Sequence, residues 1–362
     1  MIPWAKPEFW GDEQDFVVDA LDSTWISGGP YVEQLESEFR QYLDCPYALT
    51  SCNGTAALHL AFLGLNLKAE DEVIVPGYAF MGAANVACLM GALPVFADID
   101  PHTWCITAET IEKCISPRTR AIVVIHTYGN VCEMDEILSL AKNKQIPVIE
   151  DTAEALASKY KSKMTGTMGT IGTYSFHATK TITTGEGGMV TTADQDIYER
   201  MWLYRNHGML RKVYYWHELT GHNFRLTNLQ AALGCAQFRH IDKIIEERKR
   251  VHQTYRQLLQ NTPGITLQHY STNADAVLWA MAVRLDQHNF PQGRDAVMKQ
   301  MHAADIETRP GFYAASQLEH FCVSAPPLPI SEEISPQVIS LPTFPTLQDD
   351  QIEYICETLK NC

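Results

Sequence analysis

Short apolar runs alternate along this chain with segments in which apolar residues recur every three or four positions. Runs of five to seven residues rich in Val and Ile predict buried strands, and the segments between them predict crossover helices. This alternation is typical of an α/β protein with a mostly parallel mixed sheet flanked by helices. The predicted strands of this part are 72–76, 93–99, 121–125 and 146–150.

The pattern changes in the last third of the chain. A continuous helix is predicted over 229–259, and the break Thr262-Pro263-Gly264 follows it. Beyond the break, fewer strands and helices predict a smaller α+β unit, and the proline-rich stretch 325–345 reads as a loop. At 362 residues the chain suits two domains, a large one over 1–245 and a small one over 246–362. The predicted elements of the small domain are strands 265–269 and 277–285 and helices 294–302 and 349–359.

One lysine stands out by its position. Lys180 lies in a polar turn after a short aromatic run, 29 positions beyond Asp151, which ends the strand predicted at 146–150. Open α/β sheets bind ligands at the carboxyl ends of their strands. Desolvation lowers the pKa of such a lysine and yields the neutral amine that attacks an aldehyde, and a carboxylate can keep the pyridinium nitrogen of pyridoxal phosphate protonated. Taken alone, Lys180 is also consistent with an ordinary exposed turn lysine.

A second candidate site opens a helix. The residues Asn53-Gly54-Thr55 precede the apolar segment 56–62, so free backbone N–H groups and the positive end of the helix dipole face one spot. That arrangement binds anions such as phosphate, although an ordinary helix N-cap has the same composition.

The composition and charge of the chain exclude some classes of function. Hydrophobic residues make up 46% and charged residues 20% of the chain, as in globular proteins, and the formal charge of −15 argues against a nucleic-acid binder. The ten cysteines show no metal-ligand spacing, so no metal site is predicted and reduced thiols are expected. Neither a secretory leader nor an apolar run of about 18 residues is evident, which predicts a cytoplasmic protein without membrane contact.

The lysine segment resembles that of a known family. Ser175-Phe176-His177-Ala178, then Thr179-Lys180, then Glu186-Gly187-Gly188, are similar to the DegT family of nucleotide-sugar aminotransferases. The similarity runs from Ile2-Pro3 to Ser340-Leu341-Pro342, nearly the whole chain. It implies the aspartate-aminotransferase fold, fold type I of the enzymes that depend on pyridoxal phosphate.

The resemblance implies a role for each cofactor-site residue. Lys180 would bond the cofactor and then act as acid and base, while Asp151 would pair with the pyridinium. Ser175 would join the helix start in holding the phosphate, and Glu154 would lie near the phenolic oxygen. Phe80 would stack on the ring, although without the resemblance its position favours a residue that caps the core. The cofactor residues are thus Gly54, Thr55, Phe80, Asp151, Glu154, Ser175, Lys180 and Asn223.

The family also implies a homodimer with shared active sites. A loop crosses to the partner subunit, where Asn223 would bind cofactor phosphate, although an Asn in a loop often satisfies only its own backbone. Arg225 of the same crossing loop would lie near the partner's site. Arg309 would lie near the substrate, as would His207 of the family hallmark Asn206-His207-Gly208.

The implied reaction moves an amino group from glutamate to a nucleotide-linked 4-keto-6-deoxyhexose, giving an amino sugar for polysaccharide, O-antigen or other glycan synthesis. Gly185-Glu186-Gly187-Gly188 resembles the branch that aminates carbon 4, whereas carbon-3 enzymes more often carry Gly-Asp-Gly-Gly. A relative that dehydrates its sugar has histidine in place of the lysine, and Lys180 argues against that chemistry. Carbon-3 amination and a non-catalytic regulator that binds the cofactor remain alternatives.

Overall fold

The computed structural model describes residues 1–321 and 325–362. Within these ranges the chain forms twelve α-helices, and three short 3-10 helices occur at Thr127–Gly129, Ala315–Gln317 and Ser335–Gln337. The α-helices are α1 Glu13–Asp22, α2 Pro30–Leu43, α3 Gly54–Gly64, α4 Gly82–Leu89, α5 Ala108–Glu112, α6 Met134–Lys144, α7 Gln195–Arg205, α8 Asn228–Arg239, α9 Ile241–Leu259, α10 Arg294–Ala303, α11 Pro329–Ile334 and α12 Asp349–Lys360.

Fourteen strands are assigned in the described residues, and they form three sheets. They are β1 Tyr47–Ser51, β2 Glu72–Pro76, β3 Leu93–Ala97, β4 Thr119–Ile125, β5 Val148–Asp151, β6 Lys159–Tyr160, β7 Lys163–Met164, β8 Ile171–Ser175, β9 Gly188–Thr192, β10 Ile265–Leu267, β11 Ala274–Asp275, β12 Met281–Leu285, β13 Arg309–Pro310 and β14 Val338–Leu341.

The largest sheet has seven strands in the order β1-β9-β8-β5-β4-β2-β3. The five strands from β8 to β3 are parallel, whereas β9 pairs antiparallel with both β8 and β1. Every residue of β2 and β5 is buried, as expected for strands covered by helices on both faces. The predicted α/β fold with a mostly parallel mixed sheet is therefore confirmed.

A smaller antiparallel sheet follows, in the order β10-β12-β14-β13. It shares an apolar core with α9, α10 and α12, in which Tyr255, Val283 and Ile355 are fully buried. The predicted domain division between 245 and 246 falls inside α9 and stays a prediction. β11 joins the two-residue strands β6 and β7 in the third sheet.

Two sequence-based expectations were wrong. The stretch 325–345 is not a loop, because its described part contains α11 and β14, and β14 lies between β12 and β13. The predicted helix 229–259 is two helices that meet at His240, whose ring stacks on Trp10 at a centroid distance of 6.4 Å. Neither glycine nor proline marks this break.

No helix in the described ranges is long and apolar enough to cross a membrane.

Candidate active site

A cavity of about 940 Å³ lies where the parallel strands of the large sheet end. Because β2, β4, β5 and β8 run in the same direction, the segments that follow them meet at one edge of the sheet. The structure brings eight of the predicted site residues to this cavity. They are Gly54, Thr55, Phe80, Asp151, Glu154, Ser175, Lys180 and Arg309.

Lys180 lies in the turn after β8. Its backbone N–H donates to the carbonyl of His177 at 2.9 Å, which closes the turn and directs the side chain to the cavity. Burial lowers the pKa of Lys180, while the carboxylates of Glu154 and Asp151 oppose that shift. The result is an amine that deprotonates more readily than a surface lysine and can accept a proton.

Asp151 ends β5 and is 8% exposed. Burial raises the pKa of its carboxyl group, while the N–H of Ala153 and the charge of Lys180 act in the opposite direction. Oδ1 accepts a hydrogen bond from that N–H at 3.0 Å, and Oδ2 accepts none from the described residues. A buried carboxylate with an unpaired oxygen at a cavity suits a cationic partner such as a protonated pyridine nitrogen.

The N-terminus of α3 forms an anion cradle. The side chain of Asn53 accepts from the N–H of Ala56 at 2.8 Å, whereas the N–H groups of Gly54 and Thr55 have no partner among the described residues. A Cβ atom on Gly54 would lie 2.9 Å from Cβ of Ser175, so only glycine lets the helix come this close to β8. Two free N–H groups and the Ser175 hydroxyl are donors of the kind that hold a phosphate.

Glu154 and Phe80 are the remaining predicted cofactor residues that line this cavity. Glu154 is 4% exposed, and burial raises the pKa of its carboxyl group to about 7. Phe80 follows β2 and leaves 63% of its surface exposed at the cavity, so it is not a core residue in this chain. An exposed aromatic ring at the cavity fits the predicted stacking on a flat cofactor.

Three predicted residues lie outside the cavity of this chain, all on one segment. His207 lines a separate depression with His217 and Gly221, and Arg225 lines another with Arg205. The backbone of Asn223 forms an isolated antiparallel β-bridge with Asn206, and Asn223 lines neither depression. Asn223 and Arg225 were expected to act in the partner's site, and His207 stays a prediction as a substrate residue.

This segment is packed against the helix that carries the anion cradle. The rings of His222 and Phe224 stack at 4.5 Å and 2°, and His59 of α3 contacts His222 at 4.9 Å. Burial lowers the pKa of His59 to about 4 and also lowers the pKa of His222, so both imidazole rings are neutral near pH 7. The position of Asn223, between His222 and Phe224, is therefore tied to α3.

Several cavity residues were missed by the sequence analysis. Trp279 lies beside Lys180, Trp4 of the N-terminal arm contacts Trp279 edge-on at 5.4 Å, and Tyr128 stacks on Phe312 at 5.0 Å. Trp279 had been read as part of the strand 277–285, but β12 begins only at Met281. No local pattern separates such aromatics from core residues.

A buried lysine, a buried carboxylate and an anion cradle around one cavity define the site of a pyridoxal phosphate-dependent transferase. The comparisons with known proteins agree. Residues 9–360 match the model of the DegT/DnrJ/EryC1/StrS aminotransferase family, and the chain belongs to that family.

Its relatives include proteins named as sugar-modifying enzymes. GDP-perosamine synthase of Escherichia coli O157:H7 is 38% identical over 99% of this chain and 97% of its own, and that of Vibrio cholerae is 37% identical over 100% and 99%. Among solved structures, the Helicobacter pylori aminotransferase PseC, involved in pseudoaminic acid biosynthesis, has a TM-score of 0.94 at 27% identity, covering 99% and 98% of the two chains. The PLP form of the putative sugar aminotransferase Spr1654 from Streptococcus pneumoniae has a TM-score of 0.93 at 25% identity, covering 99% and 98%.

These matches confirm the predicted family. The protein is therefore a nucleotide-sugar aminotransferase that depends on pyridoxal phosphate.

Proposed function

We propose that this aminotransferase moves the amino group of glutamate to carbon 4 of a nucleotide-linked 4-keto-6-deoxyhexose. The observation that carries the proposal is the meeting of Lys180 and Asp151 in one cavity with the free N–H groups that open α3. The names of the GDP-perosamine synthases at 37–38% identity support a GDP-linked sugar, and with it the supply of amino sugars for O-antigen or related glycans.

Bound pyridoxal phosphate would supply an electron sink and the carbon that carries the amino group between substrates. The N–H groups of Gly54 and Thr55 with the Ser175 hydroxyl would hold its phosphate, and Asp151 would pair with its ring nitrogen. Nζ of Lys180, once neutral, would accept the proton from the α-carbon of the amino donor. Its lowered pKa favours that step.

We further propose that the working unit is a homodimer in which each cavity borrows Asn223 and Arg225 from the partner. The absence of both residues from the cavity of their own chain supports this arrangement. So do large apolar side chains at the surface, with Trp25 65% and Tyr214 95% exposed, because a second copy would cover such groups.

The cytoplasm is the proposed location. Nine cysteines in the described ranges are free thiols, which fits a reducing compartment.

The test is product analysis with a panel of nucleotide-linked keto sugars. Purified protein with pyridoxal phosphate and glutamate should convert the 4-keto-6-deoxy members, and NMR should place nitrogen at carbon 4. Lys180→Ala should abolish both the turnover and the absorption band of the lysine–cofactor bond. Nitrogen at carbon 3 would overturn the regiochemistry alone, whereas a wild-type band that glutamate does not bleach would indicate a regulator.

A further inference from the structure

The ammonium group of Lys180 lies over an aromatic face. Its Nζ is 3.6 Å from the centroid of the Trp279 ring, well inside the range of about 6 Å for cation–π attraction. Both residues line the cavity. Lys180 forms no ion pair within the described residues, although the carboxylates of Asp151 and Glu154 line the same cavity. The ring, rather than a carboxylate, is therefore the closest partner of the amine.

One hydrogen bond from the indole ring and one from the backbone hold Trp279 in place. Its Nε1–H donates to the carbonyl of Thr179 at 2.9 Å, directly beside Lys180. Its backbone N–H donates to the carbonyl of Tyr128 at 3.0 Å, and the Tyr128 ring lies nearly parallel to the indole, 10° from it with centroids 6.4 Å apart. The indole is therefore bound both to the lysine turn and to the segment after β4.

A buried guanidinium connects the turn that contains Lys180 to the backbone of Leu278 and Trp279. Arg248 of α9 is 3% exposed and donates from Nη2 to the carbonyl of Lys180 at 3.2 Å. Its Nη1 donates to the carbonyls of Trp279 at 3.2 Å and Leu278 at 3.3 Å. Burial lowers the pKa of Arg248 to about 10, which still leaves it charged near pH 7. One cation thus fixes the spacing of the lysine turn and the Trp279 backbone.

We propose that Trp279 is a positioning residue that receives the ammonium group of Lys180 whenever this amine is not bonded to the cofactor, and that Arg248 holds the two residues in register. The assignment of Lys180 to the cofactor rests on the proposed function, whereas the contact itself does not. Held over the indole, the amine stays close to its site of action and leaves Asp151 free to pair with the ring nitrogen. The ring face favours the charged amine, so it opposes part of the effect of burial.

Fluorinated tryptophans at position 279 test the electrostatic contribution of the ring face alone. Fluorine withdraws electron density from the face while preserving the shape of the indole and its Nε1–H, so the fold and the bond to Thr179 are kept. The probe is acetic anhydride, applied to the full-length protein freed of cofactor at a series of pH values. Mass spectrometry of the peptide that contains Lys180 then gives its pKa. We expect the pKa of Lys180 to fall with each added fluorine. At a pH below that pKa a larger fraction of the amine is then neutral, so acetic anhydride should acetylate Lys180 up to ~tenfold faster.

The chain offers a matched control. Nζ of Lys243 lies 4.5 Å from the centroid of the Trp10 ring, a similar pair outside the cavity. Fluorination of Trp10 should leave the pKa of Lys180 unchanged. Trp279→Phe keeps a smaller face without the Nε1–H, and we expect it to lower the pKa of Lys180 as well.

A pKa of Lys180 that stays constant or rises across the fluorinated series would overturn the proposal. A pKa that falls as expected, in a protein that transaminates no sugar of the panel, would support the contact while the proposed function failed.

Discussion

Oε2 of Glu154 accepts a hydrogen bond of 2.6 Å from the backbone N–H of Tyr128. The bond joins the segment after β5 to the segment after β4 and directs a buried carboxyl group to the cavity. One N–H group and the nearby charge of Lys180 only partly offset the burial of this carboxyl. Glu154 is therefore a carboxyl group that titrates near neutral pH.

The first prediction concerns stability against pH. The pKa of Glu154 is raised from 4.5 to about 7 in the fold, so the folded protein binds this proton more tightly than the unfolded chain. Its contribution to stability is complete below pH 4.5 and is lost as pH rises through 7, a change of ~3 kcal/mol. Glu154→Gln cannot titrate. Melting temperatures of the two proteins should diverge in favour of the variant from pH 5 to pH 8, and a constant difference would contradict the assignment.

The second prediction concerns Asp151. Asp151→Asn keeps the size of the side chain and removes its charge, so the cofactor should stay bound while kcat falls by about 10²-fold. Absorbance of bound cofactor and steady-state rates measure the two effects separately. Asp275→Asn is the control, because Asp275 lies in an exposed pair with Lys249, and it should leave the rate unchanged. A wild-type kcat in the Asp151→Asn variant would contradict the proposed role of Asp151.

The third prediction tests the shared site. Lys180→Ala and Asn223→Ala chains are each expected to be inactive, but a mixed dimer contains one cavity with both residues intact. Random exchange of subunits should restore about a quarter of wild-type activity, since half of the dimers are mixed and each has one working site of two.

The matching control mixes Lys180→Ala with Asp151→Asn. Both residues belong to the cavity of the same chain, so no intact site can form in that mixture. Equal activity in the two mixtures, with exchange shown by mass spectrometry, would argue against a shared site.

The fourth prediction concerns Arg309. Its side chain is 56% exposed at the cavity and pairs with Glu307. Arg309→Gln should raise KM for the nucleotide sugar roughly tenfold or more with little change in kcat, because a charge-assisted contact worth ~1.5–3 kcal/mol is lost. Arg120→Gln is the control, since Arg120 is 52% exposed beside Asp71 and does not line the cavity. An unchanged KM in Arg309→Gln would exclude the contact.

Much of the fold follows from local pattern. The strand predicted over 72–76 agrees residue by residue with β2, and the helix predicted over 294–302 differs from α10 at one end by one residue. The region after residue 325 was misread because its prolines indicated a loop. Pro329 instead occupies the first position of α11, where its missing N–H costs nothing, and β14 is fixed by pairing with distant strands.

By itself, the sequence determined the alternation of strands and helices, and with it the edge of the sheet where Asp151 and Lys180 meet. Parallel strands place their carboxyl ends together, so order along the chain was enough. Only the tertiary structure placed the Trp279 ring and the Arg248 guanidinium against Lys180, because Arg248 and Trp279 lie 68 and 99 residues further along the chain. The pKa of Glu154 was likewise decided by tertiary burial, since desolvation depends on every segment that surrounds the carboxyl group.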